Sequence, residues 1–217
     1  MIYFYNVHRD YGRGDGVESL NFTIYKGEFV NIIGPSGAGK STVLKLIYMD
    51  EFPTQGKVVV DGFDSSMVKK RQIPYLRRRV GMVFQDFQLL TDRNVYENVA
   101  LALRVTRTNR RVIKKRVLQA LNSVGLGHRA HSYPQELSGG EQQRISIARA
   151  VVKDPIVLLA DEPTGNLDPE VAREIVALLR RIHEKGTAVV MATHNYGLIR
   201  NLPFRRIRLE NGRMVRE

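Results

Sequence analysis

Hydrophobic positions along this chain follow two rhythms. Short runs rich in valine and isoleucine at residues 28–33, 57–60, 80–84, 156–160 and 187–192 predict strands, and Val157-Leu158-Leu159 and Val189-Val190-Met191 are apolar without alternation. A strand with no polar face must be covered on both sides. Between these runs apolar residues recur at helical spacing: at residues 40–49; at 112–124, with Ile113, Val117, Ala120, Leu121 and Val124 on one stripe; and at 171–182, with Val171, Ile175, Leu178, Leu179 and Ile182. Strands that alternate with helices predict an α/β fold, a mainly parallel sheet flanked by helices.

Two regions depart from that pattern. Residues 86–154 carry helical spacing and almost no strand signal, which predicts a helical subdomain inserted into a core of about residues 1–85 and 155–217, the whole forming a single domain. Residues 2–7 and 17–24 predict an N-terminal antiparallel β-subdomain beside the core, and Asn211-Gly212, between two short alternating runs, predicts a β-hairpin. No period of about 20–50 residues repeats, which excludes solenoids and arrays. No run approaches the roughly 18 apolar residues that would span a bilayer, and the N-terminus lacks a secretory pattern, so the expected location is the cytoplasm.

Charge and composition change the picture in two respects. The chain has 34 lysines and arginines against 22 aspartates and glutamates, a net charge of +12, and the excess sits in clusters such as Lys69-Lys70-Arg71, Arg77-Arg78-Arg79 and Arg205-Arg206. Such clusters are read as a solvated face, a surface for anionic lipid headgroups, or a surface for nucleic acid, in that order. The absence of cysteine removes disulfides, thiolate chemistry and Cys-based zinc sites together.

The strongest chemical signal is GPSGAGKST, comprising Gly34, Pro35, Ser36, Gly37, Ala38, Gly39, Lys40, Ser41 and Thr42. It follows a predicted strand and opens a predicted helix, the context in which such a loop cradles phosphates. Its glycines let successive backbone N–H groups point inward, and the helix N-terminus adds partial positive charge. Lys40 reaches the β- and γ-phosphates and the Ser41 hydroxyl can ligate Mg²⁺. Downstream, the apolar run 156–160 ends in Asp161-Glu162. Asp161 stands where a metal-organising carboxylate belongs, and Glu162 where a carboxylate polarises an attacking water. A loop start or helix cap is the simpler reading of an Asp-Glu pair alone.

A second glycine-rich helix start, LSGGEQQR, covers residues 137–144. Ser138 and Glu141 satisfy a capping box ahead of Ile145, Ile147, Ala148 and Val151. A capping box gives no reason for Gly139 and Gly140, since glycine in a first turn costs about 1 kcal/mol against alanine. Close approach to that backbone is therefore expected, and a second anion site is predicted.

Taken together, GPSGAGKST, LSGGEQQR and VLLADEP, in this order and spacing, resemble the nucleotide-binding subunits of ABC-type ATPases, which have the P-loop NTPase fold. The resemblance covers essentially the whole chain. It implies that ATP and Mg²⁺ are the cofactors and that the chain forms a homodimer on binding ATP, the LSGGE helix of each copy facing the γ-phosphate held by the other. It further implies that Gln85 senses the metal and joins core to helical lobe, that Asp168 lies in a loop crossing the dimer interface, that His194 contacts the γ-phosphate, and that Tyr11 stacks on adenine. Taken on the residues alone, Gln85 reads as a polar strand end, Asp168 as a helix N-cap, His194 as a surface or capping residue, and Tyr11 as a packing residue. Asn195 departs from the family, most of whose members carry an acidic residue after the histidine. The wording around the motifs is most similar to the cell-division branch of the family. That similarity implies an integral membrane partner resembling FtsX, regulation of peptidoglycan hydrolysis, and a peripheral position on the inner face of the plasma membrane, with no specific nucleic acid. Subunits of lipoprotein-release or macrolide-efflux transporters share the core motifs and form the alternative.

Overall fold

A computed structural model describes residues 1–12, 15–106 and 108–216. Along the chain run β1 (Ile2–Gly12), β2 (Asp15–Ile24), β3 (Phe29–Ile33), α1 (Lys40–Ile47), β4 (Gln55–Val60), β5 (Phe63–Asp64), α2 (Ile73–Arg79) and β6 (Val80–Val83). There follow α3 (Val95–Arg104), α4 (Arg110–Ser123), α5 (Gly139–Val151), β7 (Val157–Asp161), α6 (Pro169–Glu184), β8 (Ala188–Thr193), α7 (Tyr196–Ile199), β9 (Arg205–Glu210) and β10 (Arg213–Arg216).

Six strands form a sheet in the order β10-β9-β3-β8-β7-β6, parallel throughout except for the β9–β10 pair. Its central strands are buried on both faces, which is why β7 and β8 read as unbroken apolar runs. Phe29, Ile33, Leu158, Ala160, Val189 and Met191 point to one side, into a core shared with α3, α4, α5 and α6. Val30, Ile32, Val157, Leu159, Val190 and Ala192 point to the other, into a core made with α1 and a second sheet. That second sheet is antiparallel, in the order β2-β1-β4-β5. The run at 57–60 therefore lies in the antiparallel sheet, beside β1, and not in the parallel one. Its alternating burial matches that place, Val58 and Val60 being buried and Lys57 and Val59 half-buried.

The predicted hairpin joins β9 to β10, with Asn211 at φ 47° and Gly212 at φ 74°. Two consecutive left-handed residues are what a tight two-residue hairpin turn requires. Residues 86–154 contain α3, α4 and α5 and, among the described residues, no strand. Helix α2, whose three consecutive arginines interrupt any apolar stripe, has no counterpart among the elements predicted from the sequence; only Leu76 in it is buried.

The segment between β6 and α3 is irregular and is held by one fully buried side chain, Asn98 of α3. Its Oδ1 accepts from Leu90 N–H at 2.8 Å, and its Nδ2 donates to the carbonyls of Leu90 at 3.0 Å, Arg93 at 3.0 Å and Asn94 at 3.1 Å. Backbone groups of a loop satisfied this way have no substitute when the amide is removed. Asn98→Ala should therefore destabilise the fold by about 2–3 kcal/mol, measured by denaturant unfolding.

Candidate functional site

The topology brings the predicted residues to one edge of the parallel sheet. In the order β3-β8-β7 the three strands run the same way, so Ile33, Thr193 and Asp161 end side by side, with Ile33 paired to Thr193 and Asp161 to Ala192. Ligands bind beyond the carboxyl ends of such strands. The loop 34–39 follows β3, His194 follows β8, and Glu162 follows β7.

The loop adopts its shape because glycine stands at its tight points. Gly37 and Gly39 have φ of 78° and 94°, in the left-handed region. A Cβ built at Gly39 would also lie 2.5 Å from Val17 Cγ1, and one at Gly34 would run into the carbonyl of Leu209. The loop then leads into α1, where Val43, Leu44, Leu46 and Ile47 are completely buried and fix the helix against both sheets. Pro35, Ser36, Gly37 and Ser41 are exposed, Ala38 is buried, and Thr42 is half-buried.

Lys40 is 6% exposed. Its Nζ donates to the carbonyls of Gly34 at 3.0 Å and Pro35 at 2.9 Å, and lies 3.3 Å from Glu162 Oε1. Glu162 is 8% exposed and sits at φ 42°, a backbone conformation costing on the order of 1–3 kcal/mol for a non-glycine residue. Its N–H donates to Ala192 O at 3.0 Å, and its carbonyl accepts from Gly165 N–H at 3.0 Å. Its carboxylate meets His194 twice, accepting the backbone N–H at 3.2 Å and standing 3.0 Å from Nδ1. One carboxylate thus joins the ends of β3, β8 and β7. The rest of the His194 ring is exposed.

Asp161, the last residue of β7, accepts a 2.9 Å hydrogen bond from the Ser41 hydroxyl. Burial raises its carboxyl above the ordinary aspartate range; the Ser41 bond opposes that rise and the Glu162 charge adds to it. No cluster of three or more histidines, aspartates and glutamates that could hold a metal occurs among the described residues. Ser41 and Asp161 nonetheless fit Mg²⁺, which is commonly held by one or two protein oxygens together with substrate phosphates.

The other predicted residues are placed as follows. Gln85 lies in a turn two residues past β6, exposed, with its amide 3.5 Å from a Cβ built at Gly165. Asp168 caps α6, accepting from the N–H groups of Glu170 and Val171, each at 3.1 Å. Asn195 caps α7 through Leu198 N–H at 3.2 Å, and its N–H donates to Thr193 Oγ1 at 3.0 Å. Tyr11 is 45% exposed with the Arg9 guanidinium 4.7 Å from its ring centre. A packing role beside its aromatic neighbours is therefore not what the structure has: Tyr3 stacks on Tyr5 and Phe4 on Phe22, without it.

Ser138 caps α5 in a reciprocal box, with Glu141 N–H to Ser138 Oγ at 3.3 Å and Ser138 N–H to Glu141 Oε2 at 2.9 Å. The bond from the Ser138 backbone holds the Glu141 carboxyl below its usual range. The two glycines separate here. A Cβ at Gly140 would lie 2.5 Å from Val171 Cγ1 of α6, so the close approach expected from the sequence comes from the same chain at this position. A Cβ at Gly139 would meet Leu167 and Phe87 only at ordinary contact distances, 3.5 and 3.8 Å. Gly139 thus has no comparable packing reason within this fold.

Sequence reasoning missed Gln143. It is fully buried on α5 and donates through Nε2 to Pro163 O at 2.7 Å, while its Oε1 has no protein partner. An unpaired buried acceptor costs about 1–3 kcal/mol. The available signal was a polar residue beside the apolar positions of α5.

Gly140→Ala should lower stability by about 1–2 kcal/mol, because the clash with stiff Val171 outweighs the gain in helix propensity. In a Val171→Ala background the same substitution should be neutral or stabilising, a non-additivity read from a double-mutant cycle of unfolding free energies.

Comparison with known proteins follows the motifs. The family model "ABC transporter" matches residues 17–165. The cell division ATP-binding protein FtsE of Bacillus subtilis (strain 168) is 48% identical over 100% of this chain and 96% of its own length. FtsE of Streptococcus pneumoniae serotype 2 is 49% identical over 100% of this chain and 95% of its own. A dimeric structure of a post-hydrolysis state of the ATP-binding cassette MJ0796, bound to ADP and Pi, superposes with a TM-score of 0.88 at 36% identity, covering 100% of this chain and 97% of that one. With its phosphate loop, Asp-Glu pair and glycine-rich helix start set in this fold, the chain belongs to the ABC transporter family of ATP-binding cassettes.

Proposed function

We propose that this chain is the ATP-hydrolysing subunit of a membrane-associated cell-division complex, acting as an FtsE-like homodimer whose opening and closing is relayed across the membrane by an FtsX-like partner to peptidoglycan hydrolysis. The observation that carries the hydrolytic reading is the meeting of Lys40, Ser41, Asp161, Glu162 and His194 at the carboxyl edge of the parallel sheet, with Lys40 Nζ 3.3 Å from Glu162 Oε1.

In this reading residues 34–42 wrap the phosphates of ATP, their backbone N–H groups and the α1 N-terminus supplying donors. Lys40 exchanges Glu162 for the β- and γ-phosphates. Ser41 and Asp161, together with Gln85, would hold Mg²⁺, which would supply charge neutralisation on the phosphate oxygens. Glu162, freed from Lys40, orients the attacking water and accepts its proton, and His194 contacts the γ-phosphate. Ser138, Gly139, Gly140 and Glu141 of a second copy cover the same nucleotide, with Asp168 near the interface and Tyr11 beside the adenine. ATP then joins the two copies, and its hydrolysis weakens the joint.

The dimeric cassette MJ0796 and near-half identity to FtsE proteins over the whole chain support the dimer and the cell-division role. No helix among the described residues is long and apolar enough to cross a membrane, so a transmembrane act needs another subunit. A groove of about 460 Å³ between the core and the helical lobe, lined by Tyr48, Met82, Phe84, Leu101, Arg149 and Lys153, is the proposed seat of that partner. Burial pushes the Lys153 ammonium down to about 8.

Two measurements test the site. Glu162→Gln should retain ATP binding, lower turnover by about 10²–10⁴-fold and trap an ATP-bound dimer visible by light scattering; undiminished hydrolysis would refute the assignment. Asp161→Asn removes a buried charge. Because the folded-state pKa is raised, the wild type loses stability as pH rises through it, and the neutral variant lacks that loss. At neutral pH the variant without nucleotide should be more stable to denaturant unfolding, by about 0.5–2 kcal/mol, and its stability should no longer respond to Mg²⁺.

A further inference from the structure

Helix α5 meets the loop between β7 and α6 at both of its ends. Near the start of that loop, Gln143 Nε2 donates to the Pro163 carbonyl, one residue after Glu162. At the far end, Val171 packs against the Cβ position of Gly140, and Leu167 lies 3.5 Å from that of Gly139. Arg144 adds an ion pair to Glu174 of α6. The loop and the first two turns of α5 are therefore one body.

Packing does not demand an amide at position 143. The side chain is fully buried and its Oε1 is unpartnered, so an apolar residue of the same length would satisfy this core better. What the amide adds is its N–H bond to Pro163, and that bond holds a turn in which Glu162 sits at φ 42°. A left-handed residue persists only where its surroundings over-determine it. The bond from α5 is part of that determination, together with those of Ala192 O and Gly165 N–H.

We propose that Gln143 is a positioning residue that couples the two nucleotide sites of the dimer. It ties the helix whose first turn covers the partner's nucleotide to the turn that aims Glu162 at the nucleotide of its own chain. Seating α5 on one ATP thereby sets the carboxylate at the other. This rests on the proposed function in taking Ser138 to face the partner's nucleotide and Glu162 to direct hydrolysis.

Gln143→Met keeps length and volume while removing both the N–H and the unpaired acceptor. ATP hydrolysis against ATP concentration, ATP binding to the monomeric chain and thermal melting are measured on the full-length protein and the variant. The wild type should respond sigmoidally. In the variant kcat should fall about 10–100-fold, as for a misplaced catalytic group, while monomer ATP affinity changes less than about twofold. The melting temperature should hold or rise, and the Hill coefficient should fall toward about 1. A kcat equal to the wild type, a fall in kcat with the Hill coefficient unchanged, a hyperbolic wild type, or an unfolded or lower-melting variant overturns the proposal. Failure of the underlying reading shows separately: a wild type without ATPase activity, or full hydrolysis by Glu162→Gln, needs no change at residue 143.

Discussion

An ammonium and a carboxylate held out of water, Lys40 and Glu162, set the terms for the rest of the molecule. Their side chains are 6% and 10% exposed, and each charge has been stripped of most of its hydration. Such a pair adds little net stability, yet removing one member strands the other at a cost of about 3–5 kcal/mol. The chain meets this demand with backbone: the carbonyls of Gly34 and Pro35 on the lysine, and the N–H of His194 on the glutamate. In the proposed function a triphosphate offers Lys40 a denser negative charge than one carboxylate, so its arrival would both satisfy the lysine and release Glu162. On that proposal binding and activation are one exchange of partners.

Topology makes that exchange possible. Three adjacent parallel strands end together only because the crossovers through helices return each strand in the same direction. β8 lies between β3 and β7, so the residue after it, His194, falls between the phosphate loop and the Asp-Glu pair. Interior strands buried on both faces leave no freedom to slip, since a shift of one residue would exchange the residues facing the two cores. The register that pairs Ile33 with Thr193 and Asp161 with Ala192 thus positions the charges.

What could be read from the chain was what local chemistry dictates. The phosphate loop, the capping box at Ser138 and Glu141, the hairpin at Asn211-Gly212 and the apolar strands each leave a mark within a few residues. What could not be read depends on distant partners. The run 57–60 lies with β1 because its half-exposed alternation suits an antiparallel sheet, but alternation over four residues does not name a neighbour. The glycines at 139 and 140 look alike in sequence and differ in space, one facing Val171 and the other free of any close contact. Gln143 looked like one of two equivalent glutamines; Gln142 instead turns back to the Leu137 carbonyl at 3.1 Å, and only the burial of its neighbour against Pro163 tells them apart.

The same helix also reaches the segment after β6. Arg149, half-buried and with its pKa lowered by desolvation, donates to the carbonyls of Phe87 and Gln88. Those two residues are left-handed, at φ 55° and 48°, and Asn98 holds the chain just beyond them. Two consecutive left-handed non-glycine residues are conformationally expensive, and the bonds from Arg149 to their carbonyls help to hold that shape. Arg149 and Gln88 also line the groove beside the helical lobe, so a partner segment seated there, as proposed above, would touch the end of the helix that carries Ser138 at its start. One element, α5, therefore lines the groove through Arg149, reaches the turn holding Glu162 through Gln143 and carries Ser138 at its start.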